Sequence, residues 1–212
     1  MKALILVDIQ NDFTPAGPGK PAGSLAVPRG DEVIAVANRL MSAYPLVVAT
    51  QDRHPADHLS FASQHQGKQV GDGGLDQVLW PDHCVQGTAG AALCDGLNRE
   101  GIHEVVHKGG DRQIDSYSGF FDNGLPGKRK ATGLGALLKD RGVDEVHVMG
   151  LATDYCVRFT ALDAVGLGFK TKLIVAGCRG VELQAGDCDR AMAAMREAGV
   201  EIVELMTEGS MK

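Results

Sequence analysis

Short apolar runs alternate with longer amphipathic segments along most of the chain. The runs, rich in Val, Ile and Leu, predict strands near residues 3–8, 46–51, 103–107, 144–149, 170–175 and 200–205. Apolar residues at helical spacing predict helices near residues 31–44, 88–99, 132–141, 154–166 and 187–198. Continuous apolar strands that alternate with helices are typical of a parallel sheet covered on both faces. The pattern therefore predicts a three-layer α/β/α fold.

Three stretches that follow predicted strands interrupt this alternation. They cover residues 14–24, 52–87 and 108–131. In a compact domain, loops longer than about 15 residues are usually functional or disordered. Because all three follow strands, we expect them to meet at the carboxyl edge of the sheet, where open α/β folds bind ligands. The chain shows no linker or internal repeat, and we predict one domain over residues 1–212.

Composition and charge exclude several classes of protein. A chain of 212 residues can bury a sizeable core, and its net charge of −6 argues against nucleic acid or an anionic membrane as a partner. No apolar run approaches the roughly 18 residues of a membrane helix. The start "MKALILVDIQ" has too few apolar residues before Asp8 for a signal peptide. An odd set of cysteines without paired spacing argues against a disulfide framework: Cys84, Cys94, Cys156, Cys178 and Cys188. We predict a cytoplasmic protein that is a monomer or a small homo-oligomer.

One cysteine lies where a predicted strand turns into a predicted helix, in "VHVMGLATDYCVRFTALDAV". A lone cysteine is more often a small buried hydrophobe than a catalytic group. Cys156, however, lies near a helix start with Thr153 or Asp154 available as the cap, and this end of a helix favours a thiolate. The turn also lifts the side chain above the sheet edge, as in nucleophile elbows. We predict that Cys156 is a nucleophile and interpret the other four cysteines as structural.

Two charged residues end other predicted strands. Asp8 ends "ALILVD" and Lys108 follows "HEVVH". Taken alone, Asp8 could anchor a loop and Lys108 could be a solvated charge. Together with Cys156 they place an acid, a cation and a thiol at strand ends. An aspartate there can take the thiol proton, and a lysine can lower the pKa of the thiol.

Potential metal ligands follow the second predicted strand in "TQDRHPADHLSFASQH". Asp52 and His54 are two residues apart and point the same way in an extended segment, and His83 in "LWPDHCVQG" is a third candidate. An Asp-His-His set suits zinc, iron or manganese, although a D-x-H pair by itself is common by chance. His58 and His65 remain open as ligands or solvated residues.

The motifs "LILVDIQNDF", "TQDRHPADHLSFA", "LWPDHCVQGT", "HKGGDRQIDSYSGFFDN" and "GLATDYCV" closely resemble those of nicotinamidases in the isochorismatase-like cysteine hydrolase family. They occur in the same order, from about residue 4 to residue 180, and their combination is highly specific. The resemblance implies a six-stranded parallel sheet of order 3-2-1-4-5-6. It also implies a nucleophile at Cys156, a general acid/base at Asp8 and a supporting lysine at Lys108.

Further site residues are implied by the same resemblance. They are a cis peptide at Ala152–Thr153, an oxyanion hole from the amides of Ala152 and Cys156, metal ligands Asp52, His54 and His83, and ring-enclosing aromatics Phe13, Trp80 and Tyr117. His58 stays uncertain, because it lies closer to Asp52 than in members that use this histidine as a ligand. The metal is one divalent ion, with zinc favoured over iron or manganese.

The function expected from this resemblance is hydrolysis of nicotinamide, and also of pyrazinamide, through a cysteine thioester in pyridine-nucleotide salvage. Three alternatives remain open. One is a cysteine hydrolase of the same superfamily that acts on a carbamoyl or ureido compound, against which Asp52, His54 and His83 weigh. The others are an isochorismatase, which would lack the nucleophilic cysteine, and a non-catalytic metal-binding or thiol-sensing protein.

Overall fold

A six-stranded parallel sheet forms the centre of the molecule. The structure is a computed structural model that describes residues 1–68, 73–74, 77–113, 115–122 and 129–204. The sheet strands are β1 (Lys2–Val7), β2 (Val47–Asp52), β3 (Glu104–Lys108), β4 (Glu145–Leu151), β5 (Lys170–Arg179) and β6 (Glu201–Val203). Their order across the sheet is β3-β2-β1-β4-β5-β6, and every neighbouring pair is parallel. This confirms the predicted fold class and the order 3-2-1-4-5-6.

Four α-helices flank the sheet in the described part of the chain. They are α1 (Glu32–Met41), α2 (Leu134–Asp140), α3 (Arg158–Gly166) and α4 (Asp187–Glu197). A π-helical turn at Thr153–Val157 leads into α3, and short 3₁₀ turns cover Asn11–Phe13, Ala62–Gln64 and Arg99–Gly101. Two short antiparallel pairs join Gly73–Gly74 to Gln77–Val78 and Phe121–Asp122 to Lys130–Ala131.

Burial explains why these segments form these elements. In β1, residues 3–7 are all apolar and fully buried, as expected for a central strand covered on both faces. In α1, the buried residues Val33, Ala37, Leu40 and Met41 repeat at helical spacing and form one stripe. Right-handed crossovers put α1 on one face of the sheet and α2, α3 and α4 on the other.

The predicted helix at residues 88–99 is wrong. This segment consists of turns and an isolated bridge from Leu93 to Gln10. Its backbone pairs with the stretch after β1, because the Asn11 amide donates to the Ala92 carbonyl and the Cys94 amide donates to the Ile9 carbonyl. Those hydrogen bonds replace the ones that a helix would make within itself. Long-range pairing therefore overrode the apolar spacing.

The other predicted elements differ from the observed ones mainly in where they begin or end. Strand β5 continues to Arg179, four residues beyond its predicted end at 175, and the helix predicted at 154–166 begins with the π-helical turn. The last predicted strand extended to residue 205, which lies outside the described residues, as do 69–72, 75–76, 114 and 123–128 of the predicted loops. Among the described residues, no helix is both long and apolar enough to cross a membrane. All five cysteines are free thiols.

The topology brings several strand ends together. Strands β1 and β4 are neighbours, with Val7 in register with Gly150, so the residues that follow them start from the same edge. Strands β2 and β3 are also neighbours, and their last residues, Asp52 and Lys108, are register partners. The order of strands reverses between β1 and β4, which is the switch point where such sheets bind ligands.

Candidate active site and metal site

Asp8 follows β1 directly and is fully buried. Its backbone has a left-handed φ of 48°, which turns the chain as it leaves the sheet. The Thr50 hydroxyl donates to Asp8 Oδ1 at 2.6 Å, and Lys108 Nζ lies 2.9 Å from Asp8 Oδ2. Burial raises the pKa of Asp8, reinforced by the charge of Asp52 and opposed by the charge of Lys108. A carboxylate with a raised pKa is suited to taking and returning a proton.

Lys108 connects the charged groups of the site. Its Nζ lies 2.9 Å from Asp8 Oδ2, 2.9 Å from Asp52 Oδ1 and 2.9 Å from the Ser116 carbonyl, and 3.5 Å from Cys156 Sγ. Burial by itself lowers the pKa of Lys108, but Asp52 and Asp8 raise it well above its ordinary value. The lysine is therefore a fixed cation at neutral pH, shared by two carboxylates and a thiol.

Cys156 lies within the π-helical turn after β4, with 6% of its surface exposed. Burial raises the pKa of the thiol well above its ordinary value, and the charge of Lys108 only partly opposes this. The expected net lowering by Lys108 and the helix end is thus outweighed by the loss of water. One oxygen each of Asp8 and Asp52 and the Cys156 sulfur all lie within 4.8 Å of one another. A base is required to form the thiolate, and Asp8 is within reach.

Asp52, His54 and His83 form a buried cluster whose ligand atoms lie within 4.8 Å of one another. Asp52 Oδ2 is 3.1 Å from His54 Nε2 and 4.0 Å from His83 Nε2. The other ring nitrogens are held by backbone carbonyls, since His54 Nδ1 bonds to Gly109 at 2.9 Å and His83 Nδ1 bonds to Pro81 at 2.8 Å. Both imidazoles therefore direct Nε2 towards the same carboxylate, as metal-binding histidines do.

The two histidines of this cluster have pKa values shifted in opposite directions. Burial by itself raises the pKa of Asp52, but His54 and Lys108 outweigh it and hold the pKa well below its ordinary value. Burial opposes protonation of His54, yet Asp52 raises the pKa of His54 to about 9. Burial, reinforced by the charge of His54, lowers the pKa of His83 to about 4. His83 is therefore neutral at pH 7, and His54 must release a proton to bind a metal.

His58 lies beside the cluster but differs from it in its hydrogen bonds. Its ring centroid is 4.4 Å from that of His54, and it is fully buried. The Ser60 amide donates to His58 Nδ1 at 3.1 Å, which favours the neutral tautomer with its proton on Nε2. Among the described residues this Nε2 is buried without a hydrogen-bond partner, and in that tautomer it would not bind a metal. His65 bonds to the Leu59 carbonyl at 2.7 Å and lies outside the cluster of ligand atoms.

A pocket lined in part by Cys156 lies at this site. The predicted aromatic residues Phe13, Trp80 and Tyr117 all line it, and Trp80 Nε1 donates to the Tyr117 hydroxyl at 3.0 Å. Sequence reasoning missed four further lining residues, which are Leu25, Asp115, Tyr155 and Val181. Tyr155 and Asp115 lie within two of the quoted motifs, "GLATDYCV" and "HKGGDRQIDSYSGFFDN", and could have been found there. Leu25 and Val181 are single apolar loop residues with no signal in the sequence.

The turn between β4 and Cys156 differs from the expectation in one detail. The cis peptide bond joins Leu151 to Ala152, one bond before the expected Ala152–Thr153. Ala152 lines the pocket beside Cys156, and its carbonyl accepts hydrogen bonds from the amides of Tyr155 and Val157, each at 3.1 Å. Its position next to the thiol is consistent with the predicted oxyanion hole, which stays a prediction.

Comparison with known proteins agrees with this geometry. Residues 2–206 match the model of the isochorismatase domain. The chain belongs to the isochorismatase family. Within this family it is 50% identical to the nicotinamidase of Escherichia coli (strain K12) over 211 residues, which cover 96% of this chain and 95% of that protein.

Solved structures of family members resemble this chain in the same way. A nicotinamidase/pyrazinamidase of Acinetobacter baumanii superposes with a TM-score of 0.86 at 43% identity, covering 95% of each chain. The pyrazinamidase of Pyrococcus horikoshii, solved in complex with zinc, superposes with a TM-score of 0.75 at 35% identity, covering 96% of this chain and 99% of that one. The likeness therefore extends over nearly the whole chain.

Proposed function

We propose that the protein is a nicotinamidase that hydrolyses nicotinamide to nicotinate and ammonia. The observation that carries this proposal is the contact of Lys108 with Asp8, Asp52 and Cys156 at the base of an aromatic-lined pocket. It joins a thiol, a proton acceptor and a metal ligand in one buried cluster. The family relatives named above, which are nicotinamidases and pyrazinamidases, support the same substrate class.

The reaction begins with proton transfer from Cys156 to Asp8, which leaves a thiolate beside the Lys108 cation. The thiolate attacks the carboxamide carbon, and the oxyanion that forms is stabilised by the backbone amides of Ala152 and Cys156. Asp8 returns the proton to the amide nitrogen, the C–N bond breaks, and ammonia leaves. A thioester between Cys156 and the nicotinoyl group remains.

Hydrolysis of the thioester completes the cycle. Asp8, again unprotonated, removes a proton from a water molecule that attacks the thioester carbonyl. The C–S bond breaks, nicotinic acid leaves and gives its carboxyl proton to solvent to become nicotinate, and the proton held by Asp8 returns to the Cys156 thiolate. Lys108 stays protonated throughout, because its carboxylate neighbours raise its pKa well above the ordinary value.

The residues present fit a divalent metal ion. The ligand atoms of two imidazoles and one carboxylate lie within 4.8 Å of one another. The Nδ1 atom of each imidazole is hydrogen-bonded to a backbone carbonyl, which leaves Nε2 for the ion. This donor set suits zinc, iron or manganese, and we propose zinc, the metal in the Pyrococcus horikoshii relative. Asp52, His54 and His83 would hold the ion, and the hydrogen bond at Nδ1 leaves His58 outside the set. When bound, the ion supplies a Lewis-acidic position for the pyridine nitrogen, which orients the ring.

Phe13, Trp80 and Tyr117 would enclose the pyridine ring. A pocket walled by aromatic side chains excludes water and accepts a planar ring. We therefore propose pyrazinamide as a second substrate, since it is also a flat ring carboxamide with ring nitrogens. Nicotinate made in this way would enter pyridine-nucleotide salvage in the cytoplasm.

Ammonia release from nicotinamide by the metal-loaded protein tests the proposal, with the Cys156→Ala variant as the blank. Benzamide has the same shape without the ring nitrogen, and we expect it to be a far poorer substrate. Equal rates on benzamide and nicotinamide would refute the role of the ring nitrogen. Turnover of a carbamoyl or ureido compound with none of nicotinamide would instead support the other cysteine hydrolases of the superfamily.

A further inference from the structure

A further aspartate, close to the nucleophile in the chain, takes no part in the reaction proposed above. Asp154 is the second residue of the π-helical turn, two residues before Cys156, and only 5% of its surface is exposed. Its carboxylate accepts two backbone hydrogen bonds from the loop after β5. The Val181 amide donates to Oδ1 at 3.0 Å, and the Glu182 amide donates to Oδ2 at 2.8 Å.

At its start this loop packs tightly against α4 and closely against the π-helical turn, and a glycine occupies that position. A Cβ atom on Gly180 would lie 2.0 Å from Cys188 Sγ and 3.2 Å from Asp154 Oδ1. On the far side, the Glu182 carboxylate accepts hydrogen bonds from the amides of Gly186 at 2.9 Å and Cys188 at 2.8 Å. The loop is thus held by Asp154 on the side of the pocket and by Glu182 on the side of α4.

One residue of this loop, Val181, forms part of the substrate pocket. Val181 lines the pocket together with Ala152, Tyr155 and Cys156. Its own amide is one of the two that Asp154 holds. Asp154 itself is not among the residues that line the pocket, and the proton transfers proposed above do not involve it. Hydrogen bonds to an ionised carboxylate are roughly twice as strong as neutral ones, so the attachment is firm.

We propose that Asp154 is a positioning residue that fixes Val181 as a wall of the substrate pocket, and that Val181 limits the size of the ring carboxamide that enters. The inference rests on the proposed nicotinamidase function. In this proposal the turn that holds the thiol also helps to select the substrate, because Asp154 positions the loop after β5.

Asp154→Asn tests the positioning role. An asparagine keeps one acceptor oxygen but sets its NH₂ group against the second amide donor, so one of the two bonds is lost. We expect KM for nicotinamide to rise about tenfold, the equivalent of one charge-assisted hydrogen bond. The value of kcat and the rate at which a small alkylating reagent modifies Cys156 should both change less than about twofold, because the loss lies in substrate binding.

A matched control removes a similar bond in the same loop away from the pocket. The Asp187 carboxylate accepts from the Gln184 amide at 2.8 Å. Asp187→Asn should leave KM and kcat unchanged. A drop in kcat with unchanged KM in Asp154→Asn would overturn the proposal, because it would show that Asp154 supports the turn of Cys156 instead.

Val181→Ala provides a test that leaves the two carboxylate bonds in place. We expect KM for nicotinamide to rise and ring-methylated nicotinamides to improve relative to nicotinamide. If Asp154 acts through Val181, the double variant should have a KM no higher than the larger of the two single effects. Multiplying effects, or unchanged selectivity in Val181→Ala, would refute the inference. A wild-type protein inactive on nicotinamide would instead overturn the proposed function itself.

Discussion

At the scale of single residues, the site depends on one buried cation. Lys108 contacts two carboxylates and the thiol, and its side chain is fully buried. Cys156 is buried too, and burial raises the pKa of its thiol, so in the proposed mechanism Asp8 acts as the base. That mechanism depends on proton transfer between neighbours more than on a pre-formed thiolate.

Replacement of the nucleophile should abolish turnover without disturbing the fold. Cys156→Ala removes only a sulfur atom at the pocket surface, and we expect nicotinamide hydrolysis to fall at least about a thousandfold. Steady-state ammonia release measures the loss, and thermal melting checks the fold. Cys188→Ala, a half-buried thiol outside the pocket, is the control and should keep full activity. Appreciable turnover in Cys156→Ala would exclude covalent catalysis through this residue.

Removal of the buried cation should affect stability as well as activity. In Lys108→Ala the carboxylates of Asp8 and Asp52 lose their shared partner, and we expect the free energy of unfolding to fall by about 3–5 kcal/mol. Urea denaturation measures the change. Lys172→Ala is the control, since Lys172 pairs with the exposed Glu201 at 3.1 Å and its loss should cost less than about 1 kcal/mol. Equal losses of unfolding free energy in the two variants would show that the buried network stabilises the fold no more than a surface ion pair does.

At the scale of elements, close packing of β1 against β4 sets the distance between acid and thiol. Gly150 near the end of β4 has a φ of 129°, which favours glycine, and faces the backbone of Val7. Asp8 follows Val7, and Cys156 lies six residues after Gly150. A wider spacing of these two strands would separate the groups between which the proton moves.

Gly150→Ala should therefore be severely destabilising. The added Cβ would lie 2.1 Å from the Val7 carbonyl oxygen and 2.7 Å from its amide nitrogen, at a backbone angle that side chains rarely adopt. Neither strand can move without breaking the sheet, so we expect a loss above about 4 kcal/mol in urea denaturation. Gly166→Ala, with open space around the added atom, is the control and should be neutral or slightly stabilising. A normal melting temperature for Gly150→Ala would contradict this account.

At the scale of the whole molecule, the metal site joins loops that are distant in the chain. Asp52 ends β2 and His83 returns from the long loop after it, while the Gly109 carbonyl after β3 orients His54. An ion bound by these residues in the folded protein, and not in the unfolded chain, adds its binding free energy to stability. The metal is thus expected to stabilise the fold as well as orient the substrate.

Chelation should lower the melting temperature of the loaded protein. At a free zinc concentration 100-fold above Kd, the ion should contribute about 2.7 kcal/mol. Thermal melting with and without zinc measures this shift, independently of activity. The shift should disappear in His83→Ala and persist in His65→Ala, because His65 bonds to the Leu59 carbonyl outside the cluster. An unchanged zinc-dependent shift in His83→Ala would remove this histidine from the proposed set.

The sequence by itself predicted the parallel sheet covered by helices and most of the residues that meet at the site. Apolar strands and amphipathic helices are local patterns, and parallel order directs every strand end to one edge, so Asp8, Lys108 and Cys156 could be grouped before the structure was known. The family motifs added the oxyanion-hole amides and Tyr117. Strand periodicity depends only on near neighbours, which is why these predictions succeeded.

Only the tertiary structure decided the features that depend on distant parts of the chain. Residues 88–99 have helical spacing but pair with the segment after β1, so they form turns. The thiol pKa is raised because burial outweighs Lys108, and the Ser60 amide sets the tautomer of His58. Val181 reaches the pocket through the bonds to Asp154. Burial, close approach and hydrogen-bond direction arise when the chain folds, because they depend on residues that are far apart in sequence.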